Sequence, residues 1–132
     1  LMLQQKKPED FVIATGIQHS VRNFVEASAD HLGLKLRWEG LGINETGIVA
    51  ATDNKIGPKP GDTIVRVDPR YFRPTEVETL LGDPTKARER LGWKPATSFK
   101  QLVQEMVNMD LDLAKRDDLC RHKGFQIFEH HE

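Results

Sequence analysis

The sharpest chemical pairing in the sequence is Arg73-Pro74-Thr75-Glu76, a permanent cation and a carboxylate three residues apart. A guanidinium presents a planar fork of N–H donors that matches phosphate oxygens. A carboxylate accepts hydrogen bonds from neighbouring sugar hydroxyls. If Thr75 and Glu76 enter a helical turn, positions 73 and 76 share one face. A nucleotide diphosphate sugar, with its two chemically different ends, fits such a face. The same spacing also describes a solvated surface ion pair of little energetic weight. Spacing alone leaves both readings open, because short motifs recur by chance.

The elements that must position this pair lie between Val65 and Pro95, VRVDPRYFRPTEVETLLGDPTKARERLGWKP. Asp62 to Asp68 reads as a strand, with Ile64, Val65 and Val67 as its β-branched residues. Pro69 and Pro74 are expected to hold Arg70 to Arg73 in an extended path, since proline biases its predecessor away from helix. Tyr71 and Phe72 have faces on which a base can stack, but aromatics beside a strand are expected in the core. Asp83-Pro84 opens a helix with a capping carboxylate and a proline at its first position. Ala87 and Leu91 face inward, and Gly92 closes it. Ser98 and Gln101 have the spacing of a capping box. Phe99, Leu102, Val103, Met106 and Val107 then form an apolar stripe, continued by Leu111 and Ala114. Beyond Arg116 the polar chain is expected to fray.

Upstream, Asp10 to Gly16 (DFVIATG) reads as a buried strand. Ser20 is the natural N-cap of a helix carrying Val21, Phe24, Val25, Ser28 and Leu32 on one stripe. Asn23 stands where a capping box has Glu or Gln, so no full box is expected. Gly33 ends this helix. Leu34, Leu36 and Trp38 alternate with charged residues as a half-buried strand that turns at Gly40. Residues 40–61 hold five glycines and two prolines, and read as a loose surface excursion with a short strand near Ile48 to Ala51. Gly40-Leu41-Gly42 is not a dinucleotide fingerprint: Glu45 takes the place of the third glycine and no helix pattern follows. Leu1 to Gln5 lacks the regions of a signal peptide and resembles the end of an amphipathic helix, so the chain is expected to begin in mid-protein.

At 132 residues, 38% hydrophobic and 30% charged, the chain is expected to form one globular unit with a genuine core. A formal net charge of −1 gives no electrostatic footprint for nucleic acid or an acidic membrane. No apolar run approaches the length of a membrane span. The single cysteine, Cys120, excludes an intramolecular disulfide and suits the cytoplasm. His130 and His131 are adjacent with no third ligand at site spacing. His19 and His31 lie at opposite ends of one helix, and His122 sits in the charged tail, so no metal site is expected. Cys120 has no nucleophile context, and no Tyr-x-x-x-Lys acid/base pair occurs in the chain.

VDPRYFRPTEVETLLGDPTKARERLGWKP, with PEDFVIATG (Pro8 to Gly16) and HSVRNFVE (His19 to Glu26), resembles the C-terminal signature of the GDP-mannose 4,6-dehydratase family, extended short-chain dehydrogenases/reductases that use NADP. The resemblance covers roughly residues 1 to 110 and departs from the family pattern at Asn23. It implies an α/β fold, specifically the C-terminal substrate-binding lobe of an extended short-chain dehydrogenase with a Rossmann-type partner half. Residues 1–119 would form the sugar-nucleotide-binding portion and residues 120–132 a polar tail. Family chemistry oxidises C4 of the mannose, eliminates water across C5 and C6, and returns the hydride to C6, giving the GDP-4-dehydro-6-deoxy-mannose used for GDP-fucose. Its NADP site and catalytic residues belong to an N-terminal half, so no residue of this chain is assigned to catalysis, cofactor or metal. The resemblance implies that Arg73 reaches the diphosphate of GDP-mannose and Glu76 holds the ribose hydroxyls. It favours the ligand reading of that pair and a homo-oligomeric parent enzyme. A non-catalytic nucleotide- or partner-binding module, or the same lobe acting on another sugar nucleotide, are the alternatives.

Overall fold

Leu34, Leu36 and Trp38 turn inward along β1 (Leu34–Glu39) while the charged residues between them stay exposed, as the alternation predicts. In the computed structural model, which describes residues 1–55, 57–73 and 80–127, β1 pairs antiparallel with β2 (Thr46–Thr52). β2 pairs in turn with β3 (Thr63–Arg66), so the described sheet has the order β1-β2-β3. The helices are α1 (Val21–His31), α2 (Thr85–Leu91) and α3 (Phe99–His122). α1 packs between β1 and α3. Ala29 of α1, Leu34 of β1 and Val49 of β2 are buried together, with Leu32 and Leu36 packed against them.

Residues 40–61 differ most from the expected surface excursion. The short strand expected around Ile48 to Ala51 is present as β2, but it is the middle strand of the sheet, and Val49 is fully buried there. Their glycines serve turns at the strand ends, while Gly47-Ile48-Val49 forms the buried centre. Gly40 has φ +78°, and a Cβ on it would lie 2.2 Å from the Asn44 carbonyl oxygen, so the turn from β1 closes only on glycine.

Residues 10–16 pair with no strand among the described residues, contrary to the buried strand expected there. Val12 and Ile13 are each 51% exposed. A strand needs a neighbouring edge to satisfy its backbone. Here side chains of α2 take that part: Lys86 Nζ donates to the Asp10 carbonyl (2.9 Å) and Arg88 Nη2 to that of Thr15 (3.0 Å). The opening residues form a short 3-10 turn, Met2–Gln4.

Caps follow the sequence closely, with one correction. The Ser20 hydroxyl accepts from Asn23 N–H (3.0 Å), and Asn23 Oδ1 accepts in return from Ser20 N–H (3.2 Å). The box is therefore complete, because an asparagine carbonyl offers the same acceptor as glutamine on a shorter stem. Ser98 and Gln101 form the box expected of them. At α2 the Asp83 carboxylate accepts from Thr85 N–H (2.9 Å), although the helix begins one residue after Pro84. Gly33 and Gly92 end their helices as expected.

α3 is narrower in its buried face and longer than the sequence suggests. Phe99, Val103 and Val107 turn inward, whereas Leu102 and Met106 are exposed. The helix does not fray at Arg116 but runs to His122, so Cys120 to His122 belong to its last turn. Its end is a Schellman motif: Phe125 N–H donates to Cys120 O (2.9 Å) and Gly124 N–H to Arg121 O (3.0 Å), with Gly124 at φ +77°. No helix among the described residues is long and apolar enough to cross a membrane.

Candidate functional site

The candidate site begins where β3 ends. Asp68 accepts from the Arg70 backbone N–H (2.9 Å), and its carboxylate also takes Arg70 Nε (3.1 Å) and Nη2 (2.7 Å). Tyr71 N–H donates to the Asp68 carbonyl (3.1 Å), closing a turn. An aspartate ahead of proline favours this, since its side chain hydrogen-bonds the backbone two residues on. Residues 69–71 are thus folded back, not extended as the two prolines suggested. The Arg70 hydrogen bonds hold the Asp68 carboxyl below the usual aspartate range. That makes Arg70 a structural cation committed to its own turn, with its guanidinium 5.3 Å over the Tyr71 ring.

Tyr71 is 67% exposed, so it is not the core aromatic expected. Phe72 is 37% exposed, and its ring end lies by Gly42, where a Cβ would meet Phe72 Cζ at 3.6 Å. Arg73 follows on the surface. Glu76 lies outside the described residues, as does the rest of the 74–79 stretch. Phe72, which precedes Arg73, is thus the residue of this segment that lies by the loop joining β1 to β2.

That loop is anchored to α1 by contacts that sequence reading missed. The Glu45 carboxylate pairs with the Arg22 guanidinium, which lies 4.9 Å over the Trp38 ring. The Trp38 indole N–H donates to Glu26 Oε1 (2.8 Å). Arg22 and Glu26 stand one helical turn apart, a spacing that marks a shared face, but nothing local in sequence ties that face to Trp38 or Glu45.

Gly40-Leu41-Gly42 leads from β1 into a 3-10 turn, Gly42–Asn44, and then into β2. No α-helix N-terminus follows these glycines, so they offer no cradle for the pyrophosphate of NADP. Among the described residues no group of three or more His, Cys, Asp or Glu is placed to hold a metal ion. His19 stacks on Phe99 with centroids 3.8 Å apart, and His31 is hydrogen-bonded to Asn108 Oδ1 (2.7 Å); both help join α1 to α3.

A family model described as GDP-mannose 4,6 dehydratase matches residues 1–106. The GDP-mannose 4,6-dehydratase of Vibrio cholerae is 53% identical over 129 residues, covering 96% of this chain and 35% of the relative. That of Yersinia enterocolitica is 51% identical over the same shares. The human GDP-mannose 4,6 dehydratase is 50% identical over 115 residues, covering 87% of this chain and 29% of the relative. The likeness thus extends past residue 110, and the chain spans about a third of the length of these relatives. By this match over most of its length, the chain belongs to the GDP-mannose 4,6 dehydratase family.

Proposed function

We propose that this chain is the C-terminal, substrate-binding lobe of an NADP-dependent GDP-mannose 4,6-dehydratase with an extended short-chain dehydrogenase fold. The observation that carries the reading is the family match through the DPRYFRPTE segment, in which Arg73 stands exposed just after a braced turn. Arg73 engages the diphosphate of GDP-mannose, and Glu76 accepts hydrogen bonds from the ribose hydroxyls. Binding energy from this non-reacting end positions the mannose for chemistry performed elsewhere. The NADP and the acid/base groups are held by an N-terminal Rossmann half, and no reaction step is assigned to residues of this chain. A cytoplasmic homo-oligomer is the setting this reading implies.

The test is calorimetric titration of GDP into the complete enzyme. Arg73→Ala is expected to weaken binding by about 2–5 kcal/mol if its phosphate contact is desolvated. Unchanged affinity removes Arg73 from the site. Glu76→Gln is expected to lose less, and only with ribonucleotides; an equal loss with a 2′,3′-dideoxy analogue contradicts the ribose role. UDP- and dTDP-sugars are expected to compete poorly against GDP-mannose. Residues 1–132 alone, assayed with GDP-mannose and NADP, are expected to form no 4-keto sugar.

A further inference from the structure

Arginine is long and rich in rotamers, so its value as a phosphate ligand depends on how firmly its backbone is presented. Ahead of Arg73 in the chain stand the Asp68–Tyr71 turn, braced by the Arg70 contacts, and then Phe72. Phe72 is 37% exposed and its ring end lies by Gly42: a methyl group there would sit in ordinary van der Waals contact, 3.6 Å from Cζ and 3.9 Å from Cε2. The loop under the ring is tightly wound, with Asn44 N–H donating to Leu41 O (3.2 Å) and Glu45 N–H to Gly42 O (3.1 Å). Its far end is tied to α1 through Glu45 and Arg22, and α1 is tied to β1 through Glu26 and Trp38.

We propose that the 40–45 loop is a positioning platform for Arg73, with Phe72 and Glu45 as positioning residues that set affinity for the diphosphate without touching it. The proposal rests on the reading of Arg73 as the diphosphate ligand. The path runs through the Phe72 ring, a wound turn and a charge pair, and the ring and the charge pair join parts of the chain far apart in sequence. Loosening any of them lets the Arg73 backbone wander, so the cost falls first on the phosphate contact. The ribose contact proposed for Glu76, three residues further on, shares part of that cost, so the loss is larger for a ligand that carries the phosphates than for one that lacks them.

Titrating GDP and guanosine separately into the complete enzyme tests this, because guanosine lacks the phosphates. Phe72→Ala is expected to weaken GDP about tenfold, within the coupling range of contacting residues, and to weaken guanosine far less. Phe72→Leu restores most of the loss by refilling the contact with Gly42. Glu45→Gln, a milder change that preserves the side-chain shape, is expected to give a smaller loss of about threefold for GDP, again larger than for guanosine. In an Arg73→Ala background the Phe72→Ala loss disappears. Equal losses for GDP and guanosine would mark a general fold defect and overturn the proposal. So would a Phe72→Ala loss that persists in full in the Arg73→Ala background, which leaves Arg73 itself as the ligand. If Arg73→Ala alone leaves GDP affinity unchanged, the diphosphate reading fails first and the platform falls with it.

Discussion

The sheet with α1 and the unit formed by residues 9–17 with α2 are held together by different physics. In the first, Ala29, Leu34 and Val49 are buried on one another and Leu32 and Leu36 close around them. In the second, the buried residues are Pro84 at the start of α2 and Ala87 within it, and the bonds from α2 to residues 9–17 are polar or ionic. Lys86 donates to the Asp10 carbonyl, pairs with Glu9 (3.0 Å) and lies 4.9 Å over the Phe11 ring, while Arg88 reaches the Thr15 carbonyl. Apolar burial contributes in proportion to area, about 25 cal/mol per Å². Exposed ion pairs contribute roughly 0–1 kcal/mol and are screened by salt. The first region therefore carries the stability, and the second sets where its segments lie.

The largest effect should come from the turn on which the sheet depends. Gly40→Ala forces a methyl onto the Asn44 carbonyl at a positive φ, and is expected to cost about 3 kcal/mol in urea denaturation. A cost under about 0.5 kcal/mol, the ordinary size of a surface change, would show that the turn re-forms without its close approach. Next comes a matched pair across the two regions. Val49→Ala is expected to destabilise by about 2 kcal/mol and Val12→Ala by well under about 1 kcal/mol, because the first leaves a buried cavity and the second trims an exposed side chain. Similar costs at both positions would erase the comparison.

The smallest effect is a dependence on acid confined to the second region. The Lys86 hydrogen bond holds the Glu9 carboxyl below its ordinary range, and the Thr85 hydrogen bonds do the same for Asp83. A carboxylate whose folded pKa is depressed contributes stability that is present above its unfolded pKa. That contribution is lost as pH falls through the folded value. Amide protection factors, taken relative to the intrinsic exchange rate at each pH, are thus expected to fall in α2 on acidification before they do in β2. Glu9→Gln with Asp83→Asn should remove the difference. A fall in step across both regions, in the unaltered protein, would contradict it.

The features legible in the sequence are those decided within one turn of chain. Ser20, Ser98 and Asp83 cap because their side-chain oxygens reach a backbone N–H two or three residues on. β1 shows because Leu34, Leu36 and Trp38 alternate. Asn23 and Gly124 are also local signals, but Asn23 stands where a capping box has Glu or Gln, and Gly124 lies in a tail too charged to suggest a helix. At the candidate site, the family likeness and the pairing of Arg73 with Glu76 are both matters of linear motif.

What the sequence alone determined, then, is the set of helix ends, the alternating strand, the family and the residues proposed to meet the ligand. Tertiary structure decided the rest. The strand expected around Ile48 to Ala51 became the centre of a sheet, with Val49 buried, because β1 and β3 flank it. Residues 10–16 have the composition of a buried strand, yet a strand is a relation between neighbours, and here Lys86 and Arg88 take its carbonyls. The seat of Phe72 on Gly42 and the bond from Arg22 to Glu45 join residues far apart in the chain. Side-chain type fixes what each can bond to, but only the packed fold brings the partner within reach.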